Sequence, residues 1–357
     1  MFFRLAGIRH TSYREDRRIW PVPLDRRLAL FVMVLAIVAP FMLSTLYLNS
    51  YLLPWVIWAT AALALNLLMG WAGQIHLGFA AVMAIGAYAA IHSVRAGVPF
   101  EIALLLAGLL SALSGLVFGA AALRVKGLYL AVSTLAMQYL VDWIITHVPA
   151  ISGGSQATLQ VPAFRALGMP IQTDTARYWV ALGICVLVTL FMLNVKRTSF
   201  GRALAAVREK DFAAAIIGVN SFYVKLVAFW TASFIGGVAG AVLAFCYYGA
   251  VTPEQFQLDV SIQAVAMVIV GGMGSVIGSF FGAGLVLLAP IVLNNGATWI
   301  AGAIGLKIST ELISHIPMIL YGGMIVGFLL FEPLGLAKIY DNVRTYFLVW
   351  PFKHARR

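Results

Sequence analysis

Charged residues are scarce in this chain of 357 residues. Asp, Glu, Lys and Arg make up 10% of it, whereas 62% of the residues are hydrophobic and the mean hydropathy is +0.94. A soluble domain carries about 25% charged residues, because its surface has to be hydrated. No stretch is polar enough to fold outside a membrane, so the composition excludes a water-soluble fold and predicts an all-α polytopic membrane protein with one membrane domain.

Residues that carry chemistry are also few. The cysteines are Cys185 and Cys246, each within an apolar run, so neither a disulfide framework nor a thiolate metal site is expected, and both are interpreted as packing residues. The sequence has no G-x-x-x-x-G-K-[ST] phosphate loop, no H-E-x-x-H, no Cys/His cluster and no G-x-S-x-G elbow. We therefore expect no catalytic residue, metal or cofactor in this chain, and no ATP hydrolysis by it.

Ionisable residues at membrane depth are almost absent, and such residues are functional candidates. Asp142 and Glu311 lie near predicted span ends, within reach of water, and His92 is a third candidate. His76 is interpreted as a hydrogen-bonded packing residue rather than a proton carrier. A carrier coupled to protons or sodium usually has a central carboxylate, so this shortage favours an external energy source.

Acidic residues number 13 against 24 Lys and Arg, which gives a net charge of +11. In a soluble protein this excess would suggest nucleic acid. Here the basic residues lie between hydrophobic runs and at both termini, which is the positive-inside pattern of a membrane protein. No nucleic-acid partner is expected.

Long apolar runs are what the sequence has in place of polar surface. A helix needs about 20 apolar residues to cross the hydrocarbon. Candidate runs of this kind predict about ten transmembrane helices, some of them short or broken. They are 28–48, 51–70, 73–94, 101–122, 127–148, 178–195, 225–249, 258–274, 276–294 and 311–331.

The basic residues orient these spans. With the N-terminus inside, the connections at 70–73 and 124–126 fall on the cytoplasmic side, as do the most basic internal loop, 196–225, and the C-terminal tail. An even number of spans with both termini cytoplasmic therefore satisfies each charge cluster.

The same pattern divides the chain into a membrane domain over 28–334 and two basic cytoplasmic tails, 1–27 and 335–357. The apolar run after the first tail is too long for the hydrophobic region of a cleaved signal peptide. The segment 149–177 falls outside, and its glycines and prolines argue against a continuous helix. It is long enough to present a docking surface, although an ordinary periplasmic loop explains it equally well.

Two glycine-rich stretches, 70–78 and 271–278, interrupt the apolar runs. Close helix packing in lipid explains any single one of these glycines. Breaks within spans are nevertheless typical of transporters, whose freed backbone groups face a pathway. We therefore predict that both glycine-rich stretches lie near the translocation path. The candidate residues are Gly70, Gly73, Gln74, His76, Gly78, Gly271, Gly272, Gly274, Ser275 and Gly278.

The cytoplasmic segment 199–220 is predicted to form an amphipathic helix. Ser199 is suited to cap its start and Gly218 to close its end. One interpretation is a helix that lies on the inner membrane surface against anionic lipid. The other is a coupling helix that docks into a cytoplasmic partner. The apolar face consists of Phe200, Leu204, Val207, Ala214 and Ile217.

Four stretches resemble the permease subunits of branched-chain amino-acid ABC importers. Residues 66–88 are similar to the family pattern N-L-x-x-G-x-A-G-Q-x-x-L-G, and 123–136 to L-R-x-x-G-x-Y-x-A-x-x-T-L-A. Residues 201–220 resemble the loop G-R-A-x-x-A-x-R-E-x-x-x-A-A-x-x-x-G-x-N, and 266–283 resemble A-M-x-x-x-G-G-x-G-S-x-x-G. The stretches occur in family order over most of residues 66–284.

The resemblance implies roles for individual residues. In the coupling loop, 196–224, it places Asp211 in the acidic-Ala-Ala-Gly element through which ABC permeases contact their ATPases. Asp keeps the charge of the more usual Glu, whereas His76 stands where Ser is common. Asn66 joins the helix-break candidates. The coupling-loop candidates are Arg202, Arg208, Glu209, Asp211, Ala213, Ala214 and Gly218.

The resemblance also implies a complex in the bacterial inner membrane. Its members are a second permease, two ATP-binding cassette subunits that use ATP, and a periplasmic binding protein that delivers branched-chain amino acids. A permease for urea, short amides or aromatic acids is an open alternative, because related permeases look alike. An ion-coupled carrier, a passive channel and a structural scaffold are disfavoured by the few buried carboxylates, the coupling loop and the broken spans.

Overall fold

A computed structural model of the protein describes residues 23–123, 128–154, 157–304 and 334–349, together with 322, 323, 326, 327 and 330. Several sequence-based expectations lie outside these residues. They are the arginines of the N-terminal tail before residue 23, the basic pair Arg124 and Lys126, Glu311, most of the predicted span 311–331, and the last residues of the C-terminal tail.

The described chain is mainly helical, and its helices overlap each of the nine predicted spans from 28–48 to 276–294, whereas 311–331 lies mostly outside the described residues. Helices α2 and α10 each end in a π-helical turn, Leu67–Trp71 and Leu243–Tyr248. The helices are α1 (Pro23–Met42), α2 (Thr45–Trp71), α3 (Phe79–Arg95), α4 (Phe100–Ala122), α5 (Leu128–His147), α6 (Pro149–Ser152), α7 (Asp174–Arg197), α8 (Ser199–Glu209), α9 (Asp211–Ile216), α10 (Ser221–Tyr248), α11 (Leu258–Gly271), α12 (Val276–Ile304) and α13 (Leu336–Val349).

Within the described part of the chain, five helices are long and apolar enough to cross a membrane: α2, α4, α5, α7 and α10. Helix α3 and the first part of α12, Val276–Val292, are apolar but shorter. Apolar side chains on α1, such as Leu30 and Phe31, are about as exposed as those on α4 and α5. Exposed apolar helix faces are stable in lipid and costly in water, so the chain is a helical multi-pass membrane protein.

Helix α2 lies at the centre of the fold. Its residues from Leu53 to Trp71 are buried almost without exception. A helix that is apolar on all sides belongs inside a bundle. Helices α7, α10, α11 and α12 contact it, and α12 is held by a hydrogen bond from Trp55 Nε1 to the carbonyl of Phe280, 2.9 Å long.

Helices α3 and α10 cross at glycines, with α4 packed against both. A side chain at Gly86 would overlap the backbone carbonyl of Gly237, and one at Gly240 would overlap the carbonyl of Met83. Lipid offers little hydrophobic drive for helix association, so close backbone approach provides the packing energy instead.

Short strands lie at one end of the bundle, which we call the ladder end. Strand β1 (Leu159–Gln160) pairs antiparallel with β4 (Ala250–Val251), and β2 (Arg165–Ala166) pairs with β3 (Met169–Pro170). Side chains from two long helices hold this region. Arg95 Nη2 donates to the carbonyl of Gln160 at 2.6 Å, and the carboxylate of Glu101 accepts from the N–H of Leu167. The segment 149–177 is thus no continuous helix, as predicted, and its strands modify the all-α prediction.

Some predicted span boundaries were wrong. The predicted connection at 49–50 lies inside α2, and the helices separate instead at Leu43 and Ser44, just after Pro40. The predicted span 73–94 becomes helical only at Phe79. Hydropathy measures side chains alone, and it does not register where proline or a glycine conformation interrupts the backbone.

The span predicted over 258–274 ends at Gly271, and the one predicted over 276–294 continues to Ile304. Gly272 and Gly274 have φ of +108° and +90°, which no helix accommodates. Beyond residue 294 the helix continues because polar Asn295 and Thr298 end the hydrophobic run without ending the backbone hydrogen bonding.

The α3–α10 crossing makes a stability prediction. Gly86→Val should force the two backbones apart and lower the unfolding free energy by about 1–3 kcal/mol. The loss of monodisperse protein as the sample is heated in detergent measures this decrease in stability. Gly183→Val on α7 is the matched control, because nothing lies within 4 Å of a side chain there. Equal melting of the two variants would contradict the packing argument.

Candidate functional site

The first glycine-rich stretch forms a break between α2 and α3. The π-helical turn ends α2, where the N–H groups of Ala72 and Gln74 bond to the carbonyls of Leu67 and Leu68 at 3.1 and 3.0 Å. Gly73 then takes φ +65°, and the chain has no regular structure until Phe79. The predicted break therefore exists.

The second stretch forms a break between α11 and α12. Gly272 and Gly274 hold the left-handed backbone that reverses the chain. Gly271 and Gly278 face each other so closely that a side chain at either would overlap the backbone of the other. The two helices consequently form a tight antiparallel hairpin around four non-helical residues.

The amide of Asn66 joins the two breaks. Its Oδ1 accepts from the N–H of Gly274 at 2.7 Å, and its Nδ2 donates to the carbonyl of Ser275 at 2.8 Å and to Ser279 Oγ at 2.9 Å. Trp71 Nε1 donates to the carbonyl of Gly274 at 2.9 Å. Stretches about 200 residues apart thus become one unit. We call it the break junction: Asn66, Gly70, Trp71, Gly274 and Ser275.

Gly70 is required for this closeness. A side chain there would overlap both the Asn66 Oδ1 and the backbone N of Gly274. Asn66 itself is only 1% exposed. Its amide satisfies backbone groups that a helix would otherwise satisfy, which is how a non-helical backbone is tolerated within a membrane protein.

The start of α3 is capped by side chains from other helices, because its N-cap residue is Gly78. Ser261 Oγ accepts from the N–H of Ala80, and Gln138 Oε1 from that of Ala81, each at 2.8 Å. Thr134 Oγ1 accepts from the N–H of Leu77 at 3.0 Å. These three polar residues were missed by sequence reasoning. The signal available was a buried polar side chain inside an apolar run.

His76 is buried within the first break. Its ring packs against Phe79 and Phe229, with centroid distances of 6.2 and 5.5 Å. Neither ring nitrogen has a hydrogen-bond partner among the described residues. The predicted packing is present, but the predicted hydrogen bond is wrong, because aromatic rings occupy the space beside the imidazole. Gln74 donates to the carbonyl of Ala72 at 3.0 Å and so stabilises the turn.

The other ionisable candidates lie toward the ladder end. Asp142 is half-buried on α5, five residues before that helix ends. His92 Nε2 lies 2.7 Å from the carbonyl of Ile151 and anchors α6. Cys185 and Cys246 are buried free thiols. None of these residues contacts the break junction.

The segment 199–220 forms two helices where one was predicted. Helix α8 is capped by Thr198, whose Oγ1 accepts from the N–H of Gly201 at 3.3 Å, rather than by Ser199. Lys210 is extended, with φ −151° and ψ 98°, and separates α8 from α9. Asp211 begins a new helix because an acidic residue is favourable in a first turn. Gly218, with φ +88°, follows the end of α9 as predicted.

The break at Lys210 changes which apolar side chains are buried. Leu204, Val207 and Ala214 pack inward, as predicted. Ile217 was predicted on the same face but is 74% exposed, because α9 is rotated relative to α8. With Phe212 and Ile216, also exposed, it forms an outward apolar surface that we call the α9 patch. An apolar patch of this kind outside the helix bundle indicates an interaction site.

Asp211 fixes α9 to the beginning of α10. Its Oδ2 accepts from Lys225 Nζ at 2.8 Å. Asp211 is therefore engaged within the chain, and its ion pair links α9 to α10.

Arg208 brings the loop and the breaks together. It lies in the last turn of α8, and its Nη1 donates to the carbonyl of Gly70. One member of the loop set and one member of the break set, predicted separately, are thus in direct contact. Arg202 and Glu209 lie exposed on the same helix, away from the breaks, and Ala213 is exposed on α9.

Helix α13 completes this end of the bundle, which we call the break end. Ala337 Cβ packs over Gly272, where a side chain would come within 2.9 Å of it. Arg344 Nε donates to Asp25 Oδ1 at 2.7 Å, which links α13 to α1. The break end therefore holds both breaks, the α8–α9 loop and α13.

The break junction predicts a specific cost for losing one amide. Asn66→Leu leaves the buried N–H of Gly274 without its acceptor and should lower the unfolding free energy by about 1–3 kcal/mol. Thermal unfolding in detergent provides the measurement. Thr60→Val on the same helix is the control, because that hydroxyl bonds to the Val56 carbonyl one turn earlier. A loss no greater than that of the control would refute the bridging role of Asn66.

Comparison with known proteins agrees with the four sequence stretches. The family model described as "Branched-chain amino acid transport system / permease component" matches residues 47–330, which include both breaks and the α8–α9 loop. The chain is 30% identical over 338 residues to the high-affinity branched-chain amino acid transport system permease protein LivM of Salmonella typhimurium, covering 86% of this chain and 74% of that protein.

The LivM protein of Escherichia coli is 30% identical over 334 residues, with 85% of this chain and 73% of that protein covered. A probable branched-chain amino acid transport permease protein LivM of Methanocaldococcus jannaschii is 25% identical over 235 residues, with 66% and 67% covered. The resemblance expected from the sequence is confirmed. The chain belongs to the family of branched-chain amino acid transport system permease components.

Proposed function

We propose that this permease forms, together with a second permease subunit, the pathway by which branched-chain amino acids enter the cell. A periplasmic binding protein delivers the solute, and two ATP-binding cassette subunits supply the energy. The proposal assigns ATP hydrolysis to those subunits because this chain has no phosphate loop. Membership of the permease family supports a transport component and not an enzyme.

The observation that carries the proposal is the α9 patch beside the break junction. Phe212 and Ile216 on the short helix α9, and Ile217 directly after its end, are between 71% and 80% exposed. The adjoining helix α8 contacts the first break through Arg208. A partner docked on α9 would therefore act on residues that interrupt the spans. We assign the α9 patch to the ATP-binding subunits.

The proposed topology has ten spans in the bacterial inner membrane, with both termini cytoplasmic and the membrane domain over 28–334. The coupling loop, 196–224, and the two basic tails, 1–27 and 335–357, would then face the cytoplasm. Support comes from the break end, which gathers the α8–α9 loop and α13 with their lysines and arginines. That distribution agrees with the positive-inside rule. The ladder end would face the periplasmic binding protein.

Reconstituted vesicles test the overall function. The chain, assembled with its neighbouring permease, ATP-binding and binding-protein genes, should take up leucine only when ATP is present at the ATPase side. The ligand held by the binding protein separates branched-chain amino acids from urea, short amides and aromatic acids. Uptake that persists without ATP or ATP-binding subunits would refute the importer and favour an ion-coupled carrier.

The α9 patch makes a binding prediction. Phe212→Glu introduces charge into an apolar contact but keeps α9 intact, since an acidic residue is favourable in the first turn of a helix. Recovery of ATP-binding subunits with the tagged chain should fall about tenfold, a loss of about 1.4 kcal/mol.

Leu167→Glu is the matched control for this experiment. Leu167 is as exposed as Phe212 but lies at the ladder end, on the turn between β2 and β3. The Leu167→Glu variant should leave recovery of the ATP-binding subunits at the wild-type level. Full recovery with Phe212→Glu as well would contradict docking on the α9 patch.

The Asp211–Lys225 ion pair makes a rescue prediction. Asp211→Lys sets two cations side by side and should tilt α9, with a loss of about 1 kcal/mol in docking and a several-fold fall in ATP-driven uptake. Adding Lys225→Asp restores opposite charges and should recover most of the uptake. Asp174→Lys, which breaks the Asp174–Arg177 pair at the ladder end, is the control. Failure of the reversed pair to rescue would show that Asp211 does not act by orienting α9.

A further inference from the structure

Arg208 lies in the last turn of α8, just before α9, and its side chain extends to the two breaks. Its side chain runs along the first break, where a side chain on Gly73 would come within 3.2 Å of Arg208 Cγ. Its guanidinium then reaches the carbonyl of Gly70, to which Nη1 donates a hydrogen bond.

The same guanidinium also lies beside the second break, since a side chain on Gly274 would come within 3.2 Å of Arg208 Nη1. The Gly70 carbonyl and the missing side chains of Gly73 and Gly274 define a slot for a planar group. Because Asn66 and Trp71 bond Gly274 to α2, a displacement of Arg208 acts on both breaks at once.

The chemistry of the slot suits arginine. The Gly70 carbonyl belongs to the last turn of α2, where carbonyl groups lack helical partners and the helix dipole is negative. Guanidinium is permanently charged, flat, and able to donate from several nitrogens in one plane. A lysine ammonium would carry the charge but would not fill the slot or reach both breaks in one orientation.

The connection from α9 to Arg208 is short and stiff. Only Lys210 separates α8 from α9, and its backbone bonds to both: its N–H donates to the carbonyl of Ala206 at 3.1 Å, and its carbonyl accepts from the N–H of Ala214 at 3.0 Å. Buried Leu204 and Val207 hold α8 against the bundle. A movement of α9 is therefore carried to the last turn of α8.

We infer that Arg208 is the positioning residue that transmits movement of α9 to the break junction, so that the two broken spans change together. The inference rests on the proposed function, in which ATP-binding subunits move α9. It assigns Arg208 a role distinct from docking: the partner binds the α9 patch, and Arg208 relays the displacement.

The contact itself is tested on the purified chain in detergent by backbone hydrogen exchange. Arg208→Gln should raise exchange about tenfold in peptides covering 67–78 and 268–279, because both breaks lose a shared restraint. Arg208→Lys should give an intermediate increase. Arg26→Gln, which removes an exposed cation from the start of α1, outside the coupling loop, should leave both peptides at the wild-type rate.

The relay is tested in vesicles containing the complete importer. Arg208→Gln should lower leucine uptake per ATP hydrolysed about tenfold, while ATP-binding subunits stay bound and ATP is still hydrolysed. Arg208→Lys should retain part of the ratio, and Arg26→Gln should leave it at the wild-type value. A purely structural defect would instead reduce the amount of assembled complex and leave the ratio unchanged.

The outcomes separate the two proposals. Unchanged exchange in either break, an unchanged ratio of uptake to hydrolysis, or loss of bound ATP-binding subunits in Arg208→Gln would each overturn the relay. Wild-type uptake that needs no ATP would overturn the proposed function, and the relay with it. The inference is supported only when three results occur together in Arg208→Gln. Hydrogen exchange rises in both breaks, the ATP-binding subunits stay bound, and leucine uptake per ATP hydrolysed falls.

Discussion

The interaction on which this structure depends is the hydrogen bonding of non-helical backbone by the Asn66 amide. Where a membrane helix stops, its backbone N–H and C=O groups have no water to bind and must find partners within the protein. Asn66 supplies an acceptor to the N–H of Gly274 and a donor to the carbonyl of Ser275. One side chain thereby permits the chain to leave the helix between α11 and α12 and holds that break against α2.

Glycine makes these contacts close enough to form. At Gly70, any side chain would occupy the space taken by the Asn66 amide and the backbone of Gly274. The start of α3 solves the same problem by a different route, with Ser261 and Gln138 as caps contributed by other helices. Both solutions place a buried polar side chain where a backbone group needs a hydrogen-bond partner.

The two ends of the bundle differ as a consequence. At the ladder end, short strands pair with one another through backbone hydrogen bonds, and the side chains of Arg95 on α3 and Glu101 on α4 hold this region to the helices. At the break end, side chains make the longer-range contacts: Arg208 on α8 bonds to the first break, and the ion pairs Asp211–Lys225 and Arg344–Asp25 link α9 to α10 and α13 to α1. Among the described residues, paired strands therefore occur at the ladder end, whereas side-chain hydrogen bonds and ion pairs link the elements of the break end.

The sequence by itself determined the membrane class, the approximate spans, the amphipathic loop and the turn at Gly218, because hydropathy, charge and glycine content act over a few neighbouring residues. It also located both glycine stretches and, through resemblance, the family. Only the tertiary structure decided that Asn66 bonds Gly274, that Thr134, Gln138 and Ser261 cap α3, that the loop divides at Lys210, and that Arg208 reaches Gly70. In most of these contacts the partners lie tens to hundreds of residues apart, and no local pattern records which distant backbone group a polar side chain will meet. The division at Lys210 is local in position, but it too follows from packing, since α9 takes its direction from Lys225 on the next helix.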